Sequence, residues 1–199
     1  MKSIIIATLL ATAFCGAAQE KLTREESLKY AFIACSNLKE MLDTPIPTDP
    51  DVKRAAAVRD EGYGGLVLPE PRLSPETFAK AGKDVVPVGQ LWLVHLAPMN
   101  GGEVVPTDKL RKVHVSAGEH EADAMLCALG LQKSSDGALH LLVYGKSKEP
   151  VLQVPLKSAS VQQENPIDIS AERKDQRGEI TLKFVGKYEA TFMVTAPDA

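Results

Sequence analysis

The densest group of residues able to do chemistry in this chain is His114, Glu119, His120, Glu121 and Asp123. Imidazole and carboxylate side chains bind zinc or copper and shuttle protons, so this segment is the first candidate for a metal site or an acid–base pair. Its spacing argues against both. There is no HExxH helix and no pair of CxxC knuckles. His114 falls on the outward face of a strand beside Lys112, while His120 is expected in a loop over 118–122. The expectation is a solvated, charge-rich segment with no metal bound. A metal or enzymatic site built on His114, Glu119, His120 and Glu121 is the alternative. His95 and His140 fall inside apolar strands and read as hydrogen-bonded sheet histidines.

Nucleophilic chemistry finds less support. No GxSxG elbow is present. Ser74 is accounted for as the cap of a short helix. The carboxylate pairs Glu119/Glu121 and Glu70/Glu76 have the spacing of ordinary surface acids. The glycine-rich stretch Gly62-Tyr63-Gly64-Gly65 lacks the Lys-Ser/Thr of a phosphate loop and joins two strands, not a strand and a helix. What it offers is Tyr63, an aromatic ring on a turn, as a contact for a partner or a sugar. No catalytic residue, cofactor or metal is therefore expected.

The elements that must hold these residues begin with a leader. Lys2, the apolar run Ile4 to Phe14, and the small residues Gly16-Ala17-Ala18 have the three parts of an export signal. The run is too short to span a bilayer, and no second run of about twenty apolar residues follows. Phe14 before Cys15 argues against a lipoprotein signal, and Gln19-Glu20-Lys21 interrupts the apolar run too soon for a pilin. Residues 1–18 are thus expected to be removed, leaving a soluble protein in the periplasm or at the outer membrane or cell surface.

Without the leader the net charge of −3 becomes about −4, with no Lys/Arg cluster. That balance excludes nucleic acid and anionic membrane surfaces as natural partners. Aromatic residues make up 5% of the chain, with one Trp, which weighs against a carbohydrate-binding surface. Cys35 and Cys127 remain after trimming, and an even pair in an oxidising compartment makes a disulfide possible in principle.

Thr23 and Glu26 form a capping-box pattern, so an amphipathic helix is expected from near Arg24 within residues 19–42. Its apolar stripe would be Leu28, Ala31, Phe32, Cys35, Leu38 and Leu42. Prolines 45, 47 and 50 make 43–51 an extended connector. Residues 52–71 read better as a hairpin than as a helix. Ser74-Pro75-Glu76 starts a short helix that closes by Gly82.

From Val85 onward the period is close to two. Leu91 to Leu96 is apolar on both faces, as in a central strand. Ile167/Ile169/Ala171, Ile180/Leu182/Phe184 and Ala190/Phe192/Val194 alternate strictly with polar residues, the pattern of antiparallel sheets with one wet face. Strand count and rhythm over 85–196 resemble immunoglobulin-like sandwiches, although the Cys–Trp–Cys arrangement of antibody domains is missing. The expectation is one mainly β domain, residues 52–199, an antiparallel immunoglobulin-like β-sandwich preceded by the helix. Its expected role is a non-catalytic binding or scaffold component of the cell envelope, a surface assembly or a pilus-like system, with a protein partner. A carbohydrate-binding module is a further alternative.

Overall fold

The computed structural model describes residues 20–36, 38, 45–117 and 120–197. The expected leader, residues 1–18, lies outside them, as do 37 and 39–44 of the helix and connector. The chain is mainly β, in two antiparallel sheets facing each other.

The first sheet contains β1 (Glu20–Lys21), β2 (Ala56–Asp60), β3 (Tyr63–Pro69), β4 (Val86–Val94), β7 (Arg111–Ala117), β8 (His120–Lys133), β9 (Leu139–Tyr144) and β10 (Pro150–Pro155). Their order is β1-β2-β3-β4-β8-β9-β10. The long strand β8 has β4 along one side, with β7 on its first half and β9 on its second half along the other. The second sheet contains β5 (Ala97–Asn100), β6 (Glu103–Val104), β11 (Lys157–Ser158), β12 (Ile167–Lys174), β13 (Arg177–Phe184) and β14 (Tyr188–Thr195), in the order β12-β13-β14-β5-β6 with β11 beside β14. Immunoglobulin domains place strands A-B-E-D against C-F-G. The pairing here is a longer meander in which the last strand, β14, lies beside β5, so what it supports is a two-layer antiparallel sandwich and not that strand order.

Period-two alternation explains the layers. Met125, Cys127, Leu129 and Leu131 of β8 share one buried cluster with Ile167, Ile169, Ile180, Leu182, Phe184, Phe192 and Val194 of the second sheet. The opposite face of the second sheet is polar, and Thr181 and Thr191 bond across it at 2.9 Å. The first sheet is apolar on both faces. Its outer residues Ala57, Leu66, Leu68, Trp92, Ala124 and Leu126 are buried in a second cluster. Something must cover that face, and two segments do.

One is α1 (Arg24–Ser36). Thr23 Oγ1 accepts the Glu26 N–H at 3.3 Å and the Glu26 carboxylate accepts the Thr23 N–H at 3.0 Å, closing a reciprocal cap. The helix rests on the sheet through Ser27, Ala31 and Ala34. Its phase corrects the expected stripe: Phe32, assigned to the buried face, is 56% exposed. Small residues let the helix approach the strands closely, while the aromatic rings of Tyr30 and Phe32 stay exposed beside the charged Arg24, Glu25 and Lys29.

The other cover is the connector. Ile46 packs on Ala128, Leu142 and Tyr144. Thr48 Oγ1 accepts a hydrogen bond from Gln90 Nε2 at 2.9 Å, and Gln90 Oε1 accepts the Trp92 indole N–H at 3.2 Å. A single 3-10 turn, Val52–Arg54, leads into the β2–β3 hairpin. The short helix α2 (Pro75–Ala79) closes the inter-sheet core at one end, its Phe78 ring 5.0 Å from Tyr188 and 5.8 Å from Phe184.

Among the described residues Cys35 and Cys127 are free. Cys127 faces the inter-sheet core and Cys35 the helix-covered outer face, so the sheet itself stands between them. The disulfide that this pair made possible in principle is not formed in this arrangement.

Candidate functional site

The histidine–carboxylate group resolves into a cross-strand ladder. In the β7–β8 register His114 lies opposite Asp123, and Ser116 opposite Glu121, so Glu121 is diagonal to the imidazole. His114 Nδ1 stands 3.1 Å from Asp123 Oδ1, and its Nε2 3.6 Å from Glu121 Oε2. Lys112 Nζ pairs with Asp123 Oδ2 at 2.7 Å. The Lys112 ammonium, and after it His114, hold the Asp123 carboxyl below the usual range. Each imidazole nitrogen faces its own carboxylate on an exposed strand surface.

His120 opens β8 and is not in a loop as expected: the β7–β8 ladder extends to the Ala117–His120 pair. Its side chain and the whole of Glu119 lie outside the described residues. Among the described residues no group of three or more His, Cys, Asp or Glu side chains is placed to hold a metal ion.

The remaining candidates have local structural work. Glu70 accepts the Asp49 N–H at 2.9 Å, and Glu76 accepts the Ser74 hydroxyl at 2.6 Å, so the two acids face different partners. His95 is not inside a strand: it takes a left-handed turn (φ 54°) where the chain leaves β4 for β5. His140 does lie in β9. Burial pushes the Cys127 thiol up to about 12 and raises that of Cys35, which leaves neither a nucleophile.

Tyr63 is placed differently. The β2–β3 turn is made by Glu61 (φ 41°) and Gly62 (φ 96°), and Tyr63 follows at the first position of β3, 37% exposed. Beside it a groove of about 300 Å³ runs between α1 and the outer face of the first sheet. Its floor is small: Ala57 of β2, Gly64 of β3, Ala122 and Ala124 of β8. Tyr30 and Ile33 of α1 form one wall and Val115 of β7 stands opposite; Gly62 and Tyr63 border one end, although the β2–β3 register gives Tyr63 the face it shares with Asp60, opposite that of Gly64.

Arg59 closes the β2 side. Its Nε donates to Glu20 Oε2 at 3.0 Å, and its Nη2 stands 3.8 Å from Glu26 Oε1. Glu20 first, then Tyr30 and Glu26, raise the pKa of the guanidinium and keep it charged. The groove is thus held open from both ends of α1's first turns: the capping box sets the helix start, and the Arg59 pairs tie that start to β2.

Sequence reasoning singled out Tyr63 and did not foresee the groove. The signal it could have used is the alternating alanines Ala55/Ala57, leading into β2, and Ala122/Ala124 in β8, which leave room where they face a helix.

No protein-family model, curated protein or solved structure matches this chain.

Proposed function

We propose that this chain is an exported, non-catalytic binding domain of the bacterial cell envelope and that it binds through the groove between α1 and the first sheet. The observation that supports this is the groove itself: about 300 Å³ of space lined almost wholly by apolar side chains and open to the surface. Ligand sites are concave and mainly apolar, and about 300 Å³ is the lower end of their usual volume. Among the described residues the large exposed apolar side chains include Tyr30, which forms part of the groove wall. The export part of the reading rests on Lys2, the Ile4–Phe14 run and Gly16-Ala17-Ala18.

A groove-filling variant tests the binding part. A side chain at Gly64 would project from the floor, and its first carbon would meet nothing closer than 3.5 Å, so β3 tolerates it. The apolar dye N-phenyl-1-naphthylamine should brighten with the wild-type protein and do so several-fold less with Gly64→Val of unchanged circular dichroism. No brightening with the wild type, or equal brightening in both, rejects the groove as the binding site. Fractionation of expressing cells should recover the protein outside the cytoplasm, starting near Gln19.

A further inference from the structure

Tyr63 belongs to a row of side chains on the other face of the first sheet. One residue beyond the Gly64–Val94–Ala124 row, the registers bring Tyr63 of β3, His95 after β4 and Asp123 of β8 into line. Asp60 of β2 pairs with Tyr63 at one end of that line, and His114 of β7 pairs with Asp123 at the other. Side chains alternate between faces, so Asp60, Tyr63, Asp123 and His114 stand on the face turned toward the second sheet, away from the groove. The second sheet does not cover them. Val58, Leu93 and Met125, two residues back on the same face, are buried between the sheets, whereas Tyr63, His95 and His114 are exposed. A cavity of about 360 Å³ opens here between Tyr63, His95, the Glu61-Gly62 turn and Ala196-Pro197, which follow β14. Two of its residues, Glu61 (φ 41°) and His95 (φ 54°), hold the left-handed backbone that side chains rarely adopt, and strain of that kind gathers at binding sites.

We infer that this shelf is a second binding surface, separate from the groove, and that it takes a neutral, extended polysaccharide chain. Charge decides the neutrality. Asp60 and Glu61 share Arg173 at 3.0 and 3.4 Å, Asp123 pairs with Lys112 at 2.7 Å, and Glu121 faces His114 at 3.6 Å. An ionic ligand would have to break one of these pairs to be held. A hydroxyl group need not, because a carboxylate already in an ion pair keeps lone pairs that accept further hydrogen bonds.

The ring decides the sugar. A pyranose has an apolar C–H face and an edge of hydroxyls, and the shelf offers one aromatic ring, Tyr63, among imidazole and carboxylate groups that bond hydroxyls. The row decides the linkage. From β3 to β7 it crosses three strand spacings, about 14 Å in all. One spacing of about 4.8 Å is close to the repeat of a pyranose in a straight β-1,4-linked chain, so rings and strands stay in step.

Calorimetric titration of the purified protein with cellohexaose, chitohexaose, maltohexaose and hexagalacturonate tests this. Cellohexaose or chitohexaose should bind, and the curved maltohexaose and the anionic hexagalacturonate should bind at least tenfold more weakly. Added salt should leave the affinity unchanged, since no net charge is neutralised. Tyr63→Ala should cost about tenfold, as truncation of a contact aromatic does, and Tyr63→Phe should bind as wild type. Gly64→Val, on the opposite face, should leave sugar binding intact, and Tyr63→Ala should leave the brightening of N-phenyl-1-naphthylamine intact. No binding of either β-1,4 hexasaccharide, equal binding of all four sugars, preference for hexagalacturonate, or indifference to Tyr63→Ala overturns the glycan shelf. The dye alone decides the groove, so either reading can fail without the other.

Discussion

Gln90 is a polar side chain placed where almost everything else is apolar. It is buried in the middle of β4, and its amide links the buried Trp92 indole to Thr48 of the connector. A buried donor left without a partner costs about 1–3 kcal/mol. Gln90→Leu should therefore lower stability by about that much in urea unfolding, because the Trp92 N–H then faces hydrocarbon. Thr48→Ala should cost less, since the Gln90 amide keeps its bond to Trp92. The lone tryptophan makes its own fluorescence the readout, and an unchanged midpoint in Gln90→Leu would refute the link. At this scale the sequence was readable only in part. Tyr63 could be picked out because a glycine-rich turn holds a ring at the surface. The Gln90 relay could not, because its three members come from two segments that only the fold brings together.

The helix α1 shows why an element's phase is harder to read than its existence. Thr23 and Glu26 give its start, since capping is local chemistry. The expected stripe used the largest apolar residues, whereas the sheet takes the smallest ones. Ala31 is fully buried and Phe32 is 56% exposed. The two phases make opposite predictions. Ala31→Leu should destabilise by about 1–3 kcal/mol, as overpacking does. Phe32→Ser should stay within about 0.5 kcal/mol of wild type, as surface changes do. The reverse ranking in chemical denaturation would mean that the helix is rotated on the sheet. The strands of the second sheet posed no such problem. Ile180, Leu182 and Phe184 alternate with Glu179, Thr181 and Lys183, and a period of two leaves only one choice of buried face.

On the scale of the whole molecule, three layers follow from one imbalance: the first sheet is apolar on two faces and the second on one. The Leu91–Leu96 run showed that imbalance in the sequence, but not what would cover the extra face. The cover is assembled from α1 and the connector, tens of residues upstream, and it is incomplete. The groove is the uncovered remainder, bordered by α1 and strands β2, β3, β4, β7 and β8. The alanines at 57, 122 and 124 hint at such a space, but only the fold brings them under one helix. The two layers are also joined along one edge by Lys21–Asp168 at 3.4 Å and Arg173–Asp60 at 3.0 Å, each pairing one sheet or its edge strand with the other.

The separation of Cys35 from Cys127 by the thickness of a sheet has a consequence for where this protein can live. Its fold owes nothing to an oxidant or to a thiol–disulfide isomerase, and it needs no particular glutathione poise to persist. Thermal unfolding with and without dithiothreitol should give the same midpoint, whereas a drop under reduction would mean that the two sulfurs do meet. A chain whose Cys35 and Cys127 stay apart can mature in a reducing or an oxidising compartment alike.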